Sequence, residues 1–538
     1  MSSNRLVLPA VLAALAISPA CGSGSSGTTN PVAPPTGSFS NSNLNGTYVF
    51  SVSGIDASGE PYAVAGTLAA NGSGGITAGT IDVNGADITN SSGTPTPVAD
   101  SPITGNSSYK VNVDGRGQIA LATSPLGTIT LDFVLQDSSH GLLTEFDANA
   151  TGSGTLDLQT TATPSGPYAF NLSGSDFSNG TPNLFATVGN FTIGSGGAIT
   201  GLQDLSDGGI VSTNNSLSGT VVAGPAAAPA TVLATGFGTL TFDVFVIDST
   251  HLKFIEMDAG SNLVGDAYAA TSATMPTGTL AFTLAGSYPA ANTVSAAAGF
   301  MVTDGSGTIT TASTFDFNNS GSVSPGVGQF SGTYAAAGAG RYTLSLSQFT
   351  DGITYAAYPF SGGVFLLETD ALGVMSGAAF PQSQNSLAAG EGYGLNFTGA
   401  NLSANVEVDD IAEFTASSSG STITGVADEN FQPGGQPNPS LALSGQYSTP
   451  DPNGRGQVAA TAGNTSNSTL NGGFTITYYS VDGTTYPFIE TDASGGQVVA
   501  GAFFKQNPTA AAAAARKTPH PFVVQPPVRA HGRFRKPN

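Results

Sequence analysis

Over most of the chain, apolar side chains recur at every second position in short runs broken by Gly, Ser, Asn, Asp or Pro. A period of two sends successive side chains to opposite faces and predicts half-buried β-strands. Residues 280–380 show it most clearly. There LAFTLAG, GFMVT, TITTASTFDF, FSGTYAAA, RYTLSLS, ITYAAYPF, VFLLETD and MSGAAF follow one another. No segment between them carries the 3.6-residue period of a helix, and parallel strands would need crossover connections, usually helical. The pattern therefore predicts about eight short antiparallel strands joined by tight turns.

The same unit is written four times. Tyr48-Phe50-Val52-Gly54, Tyr168-Phe170-Leu172-Gly174, Leu280-Phe282-Leu284-Gly286 and Tyr393-Leu395-Phe397-Gly399 are alternating runs whose glycines lie 120, 112 and 113 residues apart. A Gly- and Ser-rich turn leads to Ile76, Ile199, Ile309 and Ile423. A turn rich in Gly and Arg follows in three copies, DGRGQ at 114–118, GAGRY at 338–342 and NGRGQ at 453–457, and the second copy lacks it. The strictest landmark is Glu-x-Asp: Glu145 and Asp147, Glu256 and Asp258, Glu368 and Asp370, Glu490 and Asp492, spaced 111, 112 and 122. Each copy closes on a strand led by glycine, with Gln159, Gln382 or Gln506 five residues later in three of them.

These landmarks predict an all-β chain of four tandem antiparallel domains of about eight strands each, at 43–160, 161–272, 273–384 and 385–507. An eight-stranded meander closes into a small up-and-down barrel without exposed edges; a β-sandwich of the same strands is the alternative. In strand number the unit resembles lipocalin-like barrels, without any lipocalin signature, so the likeness is one of architecture. A solenoid repeat runs ~20–50 residues. These longer units are expected to be separate beads, each with its own core.

Charged residues make only 9 % of the chain, against a usual ~25 %. Ser, Thr, Asn and Gly must then cover most of the surface, which excludes coiled coils and long surface helices. The net charge of −22 is unevenly spread. Residues 43–507 hold all 35 acids and six bases, a net of −29, whereas the six charges beyond 507 are all basic. A body of that sign repels nucleic acid, so no nucleic-acid partner is expected.

The first 20 residues have the form of an export signal: Arg5, the apolar run Leu6 to Ile17, then small residues. The run is too short to span a bilayer. Cys21, the only cysteine, stands immediately after the cleavage point, and no internal disulfide is open to it. The arrangement resembles the lipobox of bacterial lipoproteins, departing from it at Ser18 and Pro19. The resemblance implies lipidation at Cys21, a flexible tether over 21–42 and a place in the bacterial cell envelope, at the outer membrane or cell surface. Ordinary export with a free Cys21 is the alternative. Residues 508–538 are proline-broken and basic, and read as a disordered tail suited to an anionic envelope surface.

Candidate chemistry is sparse. The Glu-x-Asp pairs alternate onto one face of a strand, a carboxylate-rich arrangement that suits Ca²⁺, and the loop Thr303–Gly307 is placed to add oxygens. Against that stands a simpler role: an acidic strand end that accepts backbone N–H bonds or pairs with the Arg of the same copy. Asp137-Ser138-Ser139-His140 and Asp248-Ser249-Thr250-His251 contain the residue types of a catalytic triad, yet triad members converge from distant segments and Asp-Ser clusters favour turns. The Gly-Ser-Gly turns lack the Lys and following helix of a phosphate loop. No catalytic residue and no cofactor is assigned. The expected function is a non-enzymatic, lipid-anchored surface protein acting as spacer, adhesin or interaction array, its protein partner unspecified. Small-ligand-binding barrels are the alternative, disfavoured by the large apolar residues on the inward stripe, Phe50, Phe170, Phe282 and Leu395.

Overall fold

The computed structural model describes residues 38–509 except short segments at 90–93, 125, 161, 223–229, 236–237, 272–273, 292, 348–351, 384–385, 464–467, 469, 471–472 and 493–495. The expected signal, Cys21, nearly all of the tether and nearly all of the basic tail, with His520 and His531, lie outside the described residues. Among the described residues no helix is long and apolar enough to cross a membrane.

Four antiparallel sheets succeed one another along the chain. The last three, over 166–269, 278–381 and 392–505, are closed eight-stranded barrels, each with its strands in sequence order. All eight strands expected in the third copy are present, from Gly278–Tyr288 to Val374–Pro381. The first sheet, over 45–158, has nine strands. Its edges, Val98–Pro102 and Ser108–Val111, are joined by single bridges (Ile103 to Thr123, Gly75 to Ser108) in place of a continuous ladder. The barrel alternative thus prevails over the sandwich, because first and last strands of each unit pair: Tyr48 with Leu158, Tyr168 with Ala269, Leu280 with Pro381, Tyr393 with Lys505.

Alternation fills each interior. Phe50, Phe170, Phe282 and Leu395 are all buried, each in a separate apolar cluster. Aromatic rings interlock within them; Tyr393, Phe414, Tyr478 and Tyr486 surround Phe503 at centroid distances of 4.6–5.7 Å. The Gly-Ser-Gly turns are built for tight reversal. Gly305 adopts φ 77°, a conformation that costs a residue with a Cβ, while Asp304 accepts the N–H groups of Ser306 and Thr308 at 2.7 and 2.8 Å.

The expectation of separate beads holds for these interiors and fails for the outer faces. The described residues belong to one compact unit. Val49 and Ala63 of the first sheet pack on Phe245 and Ile255 of the second. Ala169 and Ala186 of the second share a cluster with Tyr358 and Phe360 of the third, and that cluster continues to Tyr479 and Ile489 of the fourth. Val134 and Leu142 of the first pack on Ile411 and Phe504 of the fourth. Each unit therefore touches the next, and the fourth returns to the first. The ends of the chain's body meet at that last junction, where the Asn43 side chain donates to the Pro508 carbonyl at 3.0 Å. Small outward residues make this close approach possible: a Cβ on Gly394 would lie 2.9 Å from Val134. The low charge content thus has a second cause, since much of each barrel's outside is not solvent-facing.

Candidate functional site

The four junctions hold the polar residues that the repeats have in common. The third strand of each unit (Ile76–Gly85, Ala198–Asp207, Thr308–Asn319, Thr422–Gln432) carries two outward polar positions two residues apart. They are Asp82 and Asn84, Asp204 and Ser206, Asp316 and Asn318, Asp428 and Asn430, with the aspartates 122, 112 and 112 apart. All eight side chains are buried.

The aspartates receive the arginines. Arg341 of repeat three grips Asp204 of repeat two through Nε and Nη2, both at 2.7 Å. Arg455 of repeat four grips Asp316 of repeat three in the same fork, at 2.8 and 2.7 Å. Arg116 of repeat one reaches Asp428 of repeat four at 2.6 Å through Nη1, its Nε held by Asp114. Such two-point, charge-assisted pairs are among the stronger and more directional contacts. Tyr358 and Tyr479 donate their hydroxyls to the same Asp204 and Asp316. The expected pairing of the arginines with Glu-x-Asp in their own copy is not observed; the guanidinium crosses to the preceding repeat.

The asparagines run the other way. Asn84 donates from Nδ2 to the carbonyls of Glu256, Asp258 and Ser261 at 2.7, 3.1 and 2.7 Å. Asn318 does so to Glu490 and Gln497, and Asn430 to Glu145, Asp147 and Ala150. The Glu-x-Asp segment of one repeat is thus the seat for the Asn of the repeat before it. The closing glutamines follow the same sense: Gln159 donates to Val246, Gln382 to Ser480 and Asn453, Gln506 to Leu135 and Asp114, always at backbone oxygens. The junction of repeats two and three has Ser206 and Ala270 in these places; beside the Arg341–Asp204 fork it adds apolar packing, including a Tyr268–Phe360 stack at 5.4 Å.

Within Glu-x-Asp the two carboxyls have different duties. In every copy the strand ends at the Glu, His140–Glu145, His251–Glu256, Gly363–Glu368 and Thr485–Glu490, so the Asp lies beyond it. Past that point the Asp bends back and caps a turn. Asp147 accepts from Thr130 and Asn149, Asp258 from Thr241, and Asp370 from Thr354 and Leu372. The Glu side chains stay buried. Glu145 accepts from the Tyr62 hydroxyl, and Glu256 from Ser261 and the Leu263 N–H. Burial first, then the neighbouring Asp, pushes Glu145, Glu368 and Glu490 up to about 8, 9 and 8; burial, with the Asp258 and Asp176 charges adding to it, outweighs two stabilising hydrogen bonds to bring Glu256 to about 7. The Thr303–Gly307 loop does not join Glu368 and Asp370. Thr303 pairs with Gly278 at one end of the first strand, whereas Glu368 neighbours Gly373 beside Tyr288 at the other, about 30 Å away at 3.3 Å per residue. Among the described residues no three His, Cys, Asp or Glu side chains are grouped to hold a metal ion.

The histidine clusters also separate into structural parts. Asp137 accepts the N–H groups of Ser139 and His140, and the His140 ring at 3.0 Å, closing a turn. His251 bonds Asp266 at 2.7 Å and stacks on Tyr268, while Asp248 caps Thr250. The second barrel contains a partly open apolar pocket of about 30 Å³ lined mainly by Phe170, Leu172, Phe191, Ile199, Phe242 and Phe254.

The Asp-x-Asn pairs escaped the sequence reading, although their spacing matches that of the landmarks it used. No family model and no curated protein matches the chain. Among solved structures it is similar to transferrin binding protein B of Neisseria meningitidis serogroup B (12% identity, 68% of this chain and 84% of that chain, TM-score 0.20). A mutant of transferrin binding protein B from Haemophilus parasuis Hp5 matches at 10% identity, over 68% of this chain and 83% of that one, with a TM-score of 0.19. At TM-scores this low the match assigns neither ligand nor partner to this chain.

Proposed function

We propose that the chain is a non-enzymatic, lipid-anchored protein of the bacterial envelope, whose repeats at 43–160, 161–272, 273–384 and 385–507 form one cyclic platform for a protein partner. The observation that carries this reading is the use made of the repeated residues. Arg, Asp, Asn, Gln and Glu-x-Asp, the groups that recur from copy to copy, serve to join the copies to one another. A carrier of small molecules would need space inside the barrels. The cavity in the second barrel, about 30 Å³, has room for a water or two and falls well short of the ~150 Å³ that admits benzene. Lipid at Cys21 is the anchor in this reading, and the basic residues beyond 507 face the anionic envelope. The test is fractionation of the full chain made in a bacterial host: wild type is expected in the detergent phase and Cys21→Ser in the aqueous phase. Wild type found wholly in the aqueous phase would remove the anchor from the proposal.

A further inference from the structure

Lys253 is the single Lys or Arg of repeat two, and it stands where the other repeats are apolar. Three residues before the Glu of each Glu-x-Asp come Leu142, Lys253, Phe365 and Pro487. The residues directly opposite them on the closing strand are Thr155, Asp266, Ala378 and Ala502. Of the four barrels, the second alone thus sets an amine against a carboxyl at this point, across the neighbouring strands His251–Glu256 and Val264–Ala269. Leu252 and Phe254 belong to the interior cluster, so alternation turns Lys253 outward, into the seam with repeat one. Phe245 flanks it on the other side, and Ile255 packs there on Val49.

The Lys253 side chain is 1 % exposed. Its Nζ donates to Asp266 Oδ1 at 2.8 Å and to Thr155 Oγ1 of repeat one at 2.9 Å. The Thr155 hydroxyl donates in turn to Asp157 at 3.2 Å, and Asp157 itself lies 4.0 Å from Nζ. His251 Nε2 reaches the same Asp266 Oδ1 at 2.7 Å. A nucleophile, an acyl carbon and a proton relay therefore meet in a site shielded from water. Keeping two charges there costs desolvation that their attraction repays in part at best.

We propose that Lys253 and Asp266 condense to an intramolecular amide that cross-links the two strands at the seam of repeats one and two. Transfer of one proton within the ion pair, from Nζ to Oδ1, gives an amine and a carboxylic acid. The Nζ lone pair then attacks Cγ. A second proton leaves Nζ through Thr155 Oγ1 to Asp157 and is passed to Oδ1, which departs as water while His251 holds it. One Nζ–Cγ bond forms, one Cγ–Oδ1 bond breaks, and the two protons lost by nitrogen leave in the water. No other reactant is consumed, and Asp157 ends as it began. Burial raises the Asp266 carboxyl, but Lys253 and His251 outweigh it and hold the carboxyl at about 2. The neutral pair is the minor form, so closure follows folding instead of accompanying it.

Met257 lies between the two residues, and Met275 follows them, so chemical cleavage at methionine in the unfolded full chain tests the link. Segment 258–275 is expected to stay attached to the fragment that ends at Met257, the pair being one water lighter than their sum. Trypsin should likewise fail to cut after Lys253, leaving 117–341 whole. Lys253→Arg keeps a cation for Asp266 without an amine nucleophile; it should fold, release 258–275 and carry its full mass. Asp157→Asn should close about 100-fold more slowly, read as the linked share of freshly made chain over time. A wild-type chain of full mass that releases 258–275 and is cut after Lys253 would overturn the proposal and leave an ordinary ion pair. A link from Lys253 to Asp157 would overturn it as well, and an Asp157→Asn chain that closes at the wild-type rate would overturn the relay. These readouts are independent of lipid at Cys21.

Discussion

Arg341 illustrates how much one side chain carries here. Its fork meets an Asp204 with no exposed surface, so removing the guanidinium leaves a buried carboxylate uncompensated. Arg341→Ala is expected to cost about 3–5 kcal/mol, whereas replacing both partners with apolar residues of similar size should cost far less. Chemical denaturation of the two single variants and the double variant decides this. The repeated glutamates behave in the opposite way. Glu490 is buried and pushed up to about 8, and one of its oxygens has no donor. Glu490→Gln resembles the protonated acid and should be within about 1 kcal/mol of wild type at pH 6, yet more stable than wild type at pH 9. A thermal midpoint for Glu490→Gln that stays below wild type at pH 9 would contradict this assignment.

At the scale of the strand, the third element of each unit does most of the joining. Asn430 supplies one amide to three carbonyls of repeat one. Asn430→Ala leaves those carbonyls short of a donor and should cost about 2–4 kcal/mol, measured by urea unfolding, with increased exchange at residues 140–150. The strands themselves were legible because the barrel interiors demand alternation, and Phe282 or Leu395 announces an inward stripe without ambiguity. The Asp-x-Asn pairs were not, because a period of two records only that the other face is polar. IDVNG and FDFNN read as strands with a wetted side; the same pattern serves when that side meets the polar backbone of another barrel. The Glu-x-Asp landmark was visible for a related reason. Its residues stand out at a strand end, but its partner, an Asn 172 residues before it or, for Glu145, 285 after it, leaves no local trace.

For the whole molecule, the concentration of buried acids sets the direction of the pH response. Glu145, Glu256, Glu368 and Glu490 are held at about 8, 7, 9 and 8 in the folded chain, above the ordinary carboxyl range. A raised value means that the folded state binds the proton more tightly than the unfolded one. The contribution is full in acid and declines through the range from about 5 to 9, by about 1.4 kcal/mol per pH unit for each carboxyl that titrates there. The thermal midpoint should therefore be higher at pH 5 than at pH 9, as calorimetry across that range would show. A single repeat is a second case. Residues 273–384 hold a complete core of their own, but cut from their neighbours they expose Ala281, Phe300, Tyr358 and Phe360. The isolated repeat should fold, be less stable than the same segment in the full chain, and self-associate in size-exclusion chromatography.

The contact between Asn43 and Pro508 separates two kinds of connectivity. As a polymer the body is a line with two ends; as a set of contacts it is a closed loop in which no junction is first. The place where synthesis starts is then a matter of gene order rather than of folding. A permuted gene that bridges 508 to 43 with a short linker, and begins at the turn between the second and third barrels near residue 274, should give a protein with the same junctions and a similar thermal midpoint. If the permuted chain instead behaves as an open string of barrels, with residues 140–150 and 422–432 exchanging freely, the order of synthesis would be shown to be part of what closes the loop.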